Sequence, residues 1–313
     1  MMLCIVTAQA QTVGVAVLTH GDAKTMFYGN SALLQAVEAA TEGDVISLSP
    51  GTFHGFNNFS KSGLTIIGSG MDEGPSQTIL TEFRMQANDN EEKFVKLTLK
   101  NVFIYKDAFC ADNGNYELLL NKCKVRSGFQ CSIAPDESSV IEMVNCVSTG
   151  WDNFQNTVLN AYNCVLAPHD LSGDLTRSRI LSNCILLSRP GGVCNCYDCI
   201  FFPDDHYVLS SDVRATNCTA LSDGKDFFGT QTLTNTRYDR NFDAFVEGSF
   251  YELKPELASE WVDENGEQIG IYGGPEPFSA IPNAPRFTKF NVPTRTDADG
   301  KLPVEIEIAM PAK

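Results

Sequence analysis

Polar and aromatic side chains that could bind or act on a ligand recur about once every 20 residues in the central part of the chain. They are Trp151, His169, Arg189 and Asp204 in one series, and Asp152, Asp170 and Asp205 in a second. A tryptophan ring offers an apolar face, arginine pairs with a carboxylate through two hydrogen bonds, and clustered aspartates suit calcium. A repeating fold would align these positions in a groove suited to a sugar chain that carries carboxylates.

A second interpretation of the same residues needs no ligand. Loops that leave a strand are polar because they meet water, and aspartate is common where a turn begins. Loop lengths vary between the repeats, so a column of residues beyond the strand can slip in register. Both interpretations stay open at the level of sequence.

A short phrase ending in cysteine, most often Asn-Cys, marks the repeat that would position these side chains. Its cysteines are Cys123, Cys146, Cys164, Cys184, Cys199 and Cys218. Before each phrase apolar residues alternate with polar ones, as in Leu118 and Leu120 or Ile141 and Met143. This period of two predicts a strand with one buried face, and a second short strand follows the cysteine.

The residue before each cysteine is expected to form a bend, because asparagine tolerates left-handed backbone better than other non-glycine residues. Each unit is therefore strand, bend, strand and loop. A unit this small cannot bury its own inner face, so the units must stack, each strand pairing in parallel with its copy about 4.8 Å away. The pattern predicts a parallel β-helix.

The stretch CNCYDC at 194–199 places Cys194, Cys196 and Cys199 at inward positions of one unit. Core packing, a disulfide and a metal site are the three interpretations. Zinc sites pair their cysteines with a second pair at fixed spacing, and none occurs here, which favours packing as small apolar residues. In a neighbouring unit the same register turns Arg179 inward, and we expect a bulge to turn it out.

The ends of the chain differ from the repeats. Residues 1–10 contain a short apolar run and then Ala8-Gln9-Ala10, which predicts a signal peptide and export. Residues 11–280 are expected to form the β-helix, with an amphipathic capping helix near 31–41 that begins at Asn30 or Ser31. Residues 281–313 are proline-rich and then alternate at Val304, Ile306 and Ile308, which predicts a linker and a terminal strand.

Two stretches carry a resemblance to a known family. Residues 31–70, SALLQAVEAATEGDVISLSPGTFHGFNNFSKSGLTIIGSG, look like the opening of pectate-lyase-like β-helix proteins. Residues 249–278 are similar to the final coil and closing turn of secreted bacterial members. The resemblance implies an all-β, right-handed, single-stranded parallel β-helix with an N-terminal capping helix and a C-terminal extension.

The activity implied by this resemblance is less specific, because the fold hosts both enzymes and binding proteins. Pectate lyases use several acidic residues around calcium and an Arg or Lys base. Asp152, Asp170, Asp204 and Asp205 would supply the calcium ligands, with Arg189, Asp204 and Asp205 as catalytic residues, but no stretch matches a lyase motif. The polygalacturonase set is absent apart from a loose echo in Asp204-Asp205-His206.

The net charge of the chain limits the classes of partner that it can bind. The chain has 39 acidic and 23 basic residues, a net charge of −16, which opposes binding to nucleic acid. No apolar run reaches the length of a membrane span. An acidic surface also repels polyanionic glycans unless a cation such as calcium bridges the two.

Two functions follow as expectations. The first is a secreted, periplasmic or cell-surface monomer that binds a polysaccharide or cell-surface glycan through Trp151, His169 and Arg189, without catalysis and without a required cofactor. The second is a calcium-dependent polysaccharide lyase, or another carbohydrate-active enzyme, that uses the aspartate and arginine residues of the same series. The absence of a recognisable catalytic set favours the first.

Overall fold

The computed structural model describes most of the chain between residues 14 and 309. The described ranges are 14–86, 94–106, 108–110, 114–131, 139–171, 178–188, 190, 192–202, 213–222, 232–240, 243–282, 286–291, 296, 299–301 and 304–309. The predicted signal peptide lies outside these ranges. So do several of the loops between the coils.

The chain folds as a right-handed parallel β-helix of about seven turns, as the sequence predicts. Each complete coil contributes one strand to each of two long sheets, and six coils add a strand to a shorter third sheet. Strands of successive coils pair in parallel, with inward residues facing inward residues; Leu97, Leu118 and Ile141 lie side by side in one such column. The alternation in sequence thus becomes a continuous core.

The strands have the following bounds. The first sheet contains, in spatial order, Ala23–Tyr28, Val15–His20, Val45–Leu48, Leu64–Ile67, Phe94–Lys100, Asn115–Asn121, Ser139–Val144, Val158–Tyr162, Arg179–Ser182, Cys194–Tyr197, Val213–Thr216 and Thr232–Thr234. The second contains Gly51–Phe53, Thr78–Leu80, Phe103–Ile104, Lys124–Val125, Val147–Ser148, Val165–Leu166, Ile185–Leu186, Ile200–Phe201, Thr219–Leu221 and Arg237–Asp239. The third contains Phe56–Phe59, Phe83–Met85, Ala108–Cys110, Phe129–Cys131, Asp152–Asn153 and Pro168–Asp170.

A single left-handed residue makes the corner between the first and second sheets in each repeated coil, which confirms the predicted bend. The φ angles of these residues lie between 47° and 56°. They are Asn101, Lys122, Asn145, Asn163, Asn183, Asp198, Asn217 and Asn235. The backbone N–H groups of the first seven continue the hydrogen-bond ladder around the corner; that of Asn163, for example, donates to the carbonyl of Ser182 in the next coil at 3.0 Å.

The cysteines that follow these corners fill the interior, as predicted. All ten cysteines in the described part of the chain are free and buried. Each of the six corner thiols donates to the carbonyl two residues earlier, as Cys164 does to Tyr162 at 3.1 Å. In the next coil the Thr236 hydroxyl makes the same bond to Thr234. A small side chain with a weak donor therefore suits this position because it bridges the bend from inside.

The expected bulge at Arg179 is wrong. Arg179 lies in the regular strand Arg179–Ser182, pairs with Leu159 in the inward column and is 1% exposed. Its Nη1 donates to the carbonyl of Val193 at 3.4 Å. The long side chain stays inside, where the Val193 carbonyl of the neighbouring coil accepts one hydrogen bond, whereas a bulge would break the ladder.

The N-terminal end of the stack is closed by local structure. The strands Val15–His20 and Ala23–Tyr28 form an antiparallel hairpin that extends the first sheet. The helix Ala32–Ala39 packs on this end and buries Leu33, Ala36 and Val37. Ser31 precedes the helix without a side-chain capping bond. The helix prediction is thus confirmed, and its apolar face covers the end of the core.

The segment 243–282, called here the C-terminal segment, does not form the final coil that the resemblance implies. It contains the short helix Pro255–Glu260 and packs along the outer face of the second sheet. Its apolar side chains cover outward residues of five coils: Val147, Val165, Ile185, Ile200 and Leu221. A β-helix with an apolar outer face must cover it, and this segment does so.

Polar contacts at the corners fix the C-terminal segment in register. The Asn163 amide donates to the carbonyls of Ile271 and Gly273 at 2.9 and 2.7 Å, and the N–H of Ser279 donates to the Asn145 side chain at 3.3 Å. Lys122 Nζ donates to the carbonyl of Ile281. The segment therefore runs along the corner residues, in the direction opposite to the order of the coils.

The predicted terminal extension contains two strands. Arg286–Asn291 and Glu305–Ala309 pair antiparallel with each other. Within the described ranges no helix is long and apolar enough to cross a membrane.

Asn163 tests the link between the corner and the C-terminal segment. Asn163→Ala should lower the free energy of unfolding by about 2–3 kcal/mol, because alanine disfavours left-handed backbone and the bonds to Ile271 and Gly273 are lost. Asn163→Gly relieves the backbone but still loses both bonds, so its loss should be smaller. Urea denaturation measures both losses.

Hydrogen exchange gives the specific readout. In Asn163→Gly the amides around 269–274 should exchange faster than in the original protein. The matched control is Asn217→Gly, a corner residue whose side-chain oxygen accepts from Asn235, the next corner. Equal protection of 269–274 in both variants would contradict the proposed attachment.

Candidate functional site

Two aromatic rings stack on the surface where the second sheet turns into the third. The rings of Trp151 and His169 are parallel within 8°, and their centroids are 5.0 Å apart. This separation is close to the spacing of about 4.8 Å between neighbouring strands, because the two residues come from successive coils. We call this pair the Trp–His platform. The two side chains are neighbours as expected, although Asp152 pairs with Pro168, so Trp151 and His169 are offset in the backbone register.

Two glycines allow the backbone to turn tightly beneath the platform. Gly128 has a φ of 105°, and a Cβ there would lie 2.2 Å from the carbonyl oxygen of Trp151. A Cβ at Gly150 would lie 2.0 Å from backbone atoms of Ser127. Only glycine permits this close approach of successive coils, which lets the chain around Trp151 stack on the coil before it.

The indole of Trp151 points into solvent although its backbone is fixed. The residue is 70% exposed. Its carbonyl accepts a hydrogen bond of 2.7 Å from the Gln130 side chain, and the N–H of the next residue, Asp152, donates to Ala167 at 2.8 Å. A large exposed aromatic ring held by a rigid backbone loses little conformational freedom when a ligand stacks on it.

An exposed cation–π pair, Arg126 and Tyr105, lies on the two preceding coils. The guanidinium carbon of Arg126 is 4.8 Å from the centroid of the Tyr105 ring, a cation–π arrangement. Arg126 comes two residues before Gly128, whose backbone lies against Trp151. Neither residue is among the site residues predicted from the sequence. The signal was available, since both residues directly follow aligned strands of the second sheet, Phe103–Ile104 and Lys124–Val125.

Asp152 lies inside the coil and not beside the groove, where it was expected as a calcium ligand. The residue is fully buried. Oδ1 accepts from the N–H of Phe129 at 2.9 Å and from the Ser148 hydroxyl at 2.5 Å, and Oδ2 accepts from the N–H of Ala167 at 2.8 Å. The carboxylate therefore bridges three successive coils at the turn between the second and third sheets, beneath the platform.

Burial and hydrogen bonding act on this carboxyl group in opposite directions. Desolvation raises the pKa of Asp152 to about 6, although the bonds from Ser148, Phe129 and Ala167 each lower it. A pKa near neutrality can indicate an acid–base catalyst, but this group has no access to solvent or ligand. Its hydrogen bonds instead hold neighbouring coils together at the turn between the second and third sheets.

The second predicted series is not a single column. Asp170 pairs with Asn153, whereas Asp152 pairs with Pro168, because an irregularity shifts the register between Asp152 and Asn153. The described part of the chain contains no group of three or more His, Cys, Asp or Glu residues able to hold a metal ion. With both oxygens committed to the protein, Asp152 does not fit a calcium site.

The remaining predicted residues lie outside the described part of the chain. These are Arg189, Asp204 and Asp205, with the neighbouring His206. Their roles in substrate binding, catalysis and calcium binding stay predictions. Nothing is described of the side chain of Asp170 either.

Comparisons with known protein families, with curated proteins and with solved structures found no match for this chain. The chemistry of the site therefore has to be judged from its own geometry. The Trp–His platform, with Arg126 nearby, can stack against a flat apolar surface and pair with an anion. Asp152, the carboxyl group next to the platform whose pKa is raised, is enclosed and does not reach a ligand on this surface.

Removing the Asp152 carboxylate should destabilise the turn between the second and third sheets. Asp152→Ala leaves the buried N–H groups of Phe129 and Ala167 without their acceptor, so the free energy of unfolding should fall by about 2–4 kcal/mol in urea denaturation. The matched control is Asp243→Ala, an exposed aspartate paired with Lys254, for which a change within about 0.5 kcal/mol is expected. Similar losses in the two variants would contradict the structural role of Asp152.

The pH dependence of stability provides a separate test. The pKa of Asp152 is about 6 in the folded protein, above its ordinary value of 3.8, so the folded state binds more protons than the unfolded state between these two pH values. The contribution of this group to stability should therefore fall as the pH rises from about 4 to about 6 and stay constant above that.

Asp152→Asn, which cannot titrate, isolates this contribution. The urea midpoint of the original protein minus that of the variant should decrease over this pH window. A difference that grows as the pH rises would mean that the folded pKa is depressed instead.

Proposed function

We propose that this protein is a secreted or cell-surface member of the pectate-lyase-like superfamily that binds a polysaccharide without cleaving it. The Trp–His platform is the observation that carries the proposal. An indole that is 70% exposed and stacked on one neighbouring ring presents an apolar surface to the flat face of a sugar.

Charge near the platform favours an acidic glycan. Arg126 lies on the preceding coil, and Arg189 is expected in the coil after His169. Arginine recognises carboxylates with paired hydrogen bonds. The chain as a whole carries a net charge of −16, so a polyanion would be attracted only to a local basic strip of this kind and repelled elsewhere. We propose that the glycan lies along this strip on a monomeric protein.

Export and the absence of catalysis belong to the same proposal. The first ten residues support export by their sequence. The absence of catalysis is supported by the internal position of Asp152, which removes one of the four aspartates from the calcium set that a lyase would need. Three of that set, Asp170, Asp204 and Asp205, remain open as ligands, so the lyase is tested in the same experiment.

The binding test uses the full-length purified protein and a panel of uronate-containing polysaccharides, with calcium and with a chelator. Affinity electrophoresis and calorimetry should detect binding in both conditions. Trp151→Ala should weaken the affinity by about tenfold or more, since it removes the stacking surface. Tyr28→Ala is the matched control, because Tyr28 is 63% exposed on the N-terminal hairpin, and it should leave the affinity unchanged.

Ultraviolet absorbance of unsaturated products is followed in parallel. Absorbance that rises only with calcium would overturn the non-catalytic proposal. In that case an Asp204→Ala, Asp205→Ala double variant should lose the turnover if these residues hold the metal. Binding that is equally strong in Trp151→Ala would remove the platform from the site.

A further inference from the structure

Four of the ten described cysteines lie away from the corner column. Cys110 and Cys131 end neighbouring strands of the third sheet, and Cys194 and Cys196 lie on one strand of the first sheet. All four are buried. The corner thiols bond to backbone carbonyls, so the question is whether either of these two pairs has another role.

Cys110 and Cys131 are placed for a covalent bond. The two residues pair directly in the parallel register, and their sulfur atoms are 3.0 Å apart. A disulfide requires Cα atoms about 4.4–6.8 Å apart, and directly paired residues of neighbouring strands meet this because the strands lie about 4.8 Å apart. Both side chains point to the interior, so their Cβ atoms lie on the same face.

The Cys194 and Cys196 pair is less suitable. Its sulfur atoms are 3.8 Å apart, and the cysteines are two positions apart on one extended strand, where the Cα separation of about 6.6 Å is near the upper limit for a disulfide. A bond there would close a loop with one intervening residue and would constrain the unfolded chain very little. A bond between Cys110 and Cys131 would join residues 21 positions apart and tie two coils together.

We propose that Cys110 and Cys131 form a disulfide between coils when the chain folds in the presence of a small or protein disulfide as oxidant. One thiolate attacks a sulfur of the oxidant, forming a mixed disulfide and releasing one oxidant thiol. The second cysteine, after losing its proton, attacks the protein sulfur of the mixed disulfide and releases the other. Two protons leave the cysteines, and the oxidant takes up the two electrons.

Burial of the two cysteines determines when the disulfide can form. The hydrogen bond to Cys110 and burial both raise the pKa of the Cys131 thiol, so little thiolate forms once the coil has closed. Both residues are about 1% exposed, which keeps an oxidant out. The bond therefore forms during folding, before the third sheet encloses the sulfur atoms.

The position of the bond connects it to the surface site. Phe129, two residues before Cys131, donates its N–H to Asp152, and Asp152 directly follows Trp151. A disulfide at Cys131 therefore fixes the coil whose Phe129 N–H bonds to Asp152, at the turn beneath the Trp–His platform. An exported protein meets an oxidising environment in which such a bond persists.

The test refolds the full chain in a buffer of oxidised and reduced glutathione and then blocks the remaining thiols. Digestion with trypsin and a glutamate-specific protease separates Cys131 from Cys146, because Glu137 and Glu142 lie between them. We expect one linked peptide pair that contains Cys110 and Cys131, with every other cysteine blocked. Recovery of both cysteines in blocked form, or a bond between Cys194 and Cys196 instead, would overturn the proposal.

A stability measurement gives the second arm. The oxidised protein should have a urea midpoint higher by on the order of 1 M than the same protein after reduction, because the bond restricts the unfolded chain. The Cys110→Ser, Cys131→Ser double variant should show no such difference, and Cys194→Ser, Cys196→Ser should keep it. If the first variant fails to fold, the peptide mapping of the original protein still decides the question.

Discussion

The left-handed corner between the first and second sheets is the constraint on which the rest of the structure depends. One residue per coil turns the chain there with a φ near 50°, and its N–H bonds to the next coil. Because the same geometry recurs, the coils superpose and their inward residues form continuous columns. Asparagine or aspartate at most corners lowers the cost of the left-handed backbone, and the buried thiol that follows bridges the bend.

The corners also join parts of the chain that are far apart in sequence. Asn163 and Asn145 bond to the C-terminal segment more than 100 positions away, and apolar residues of that segment cover the outer face of the second sheet. The described residues thus form two apolar cores, one inside the β-helix and one between the β-helix and the C-terminal segment. The β-helix and the C-terminal segment stabilise each other, because each covers apolar side chains of the other that would otherwise contact water.

The surface site follows from the same stacking. Coils about 4.8 Å apart bring Trp151 and His169 into ring contact, and the close-packed glycines beneath them let the coils meet at the corner. Asp152, next to Trp151 in sequence, points the opposite way and holds three coils together. Of these two adjacent residues, Trp151 is exposed where a ligand can stack on it, and Asp152 is enclosed and stabilises the fold.

The sequence by itself determined the parallel β-helix, the bend at each Asn-Cys phrase and the burial of the cysteines, because each depends on a local pattern repeated many times. It also determined the capping helix, because one amphipathic stretch encodes that helix locally. Only the tertiary structure decided the rest. The bulge expected at Arg179 is absent, and the buried side chain donates a hydrogen bond to the carbonyl of Val193 in the next coil. Asp152 turned inward and the register slipped before Asp170, since contacts between coils, which no local pattern encodes, choose the face of a loop residue. The C-terminal segment follows the outside of the helix for the same reason, because its place depends on the surface that the stacked coils create.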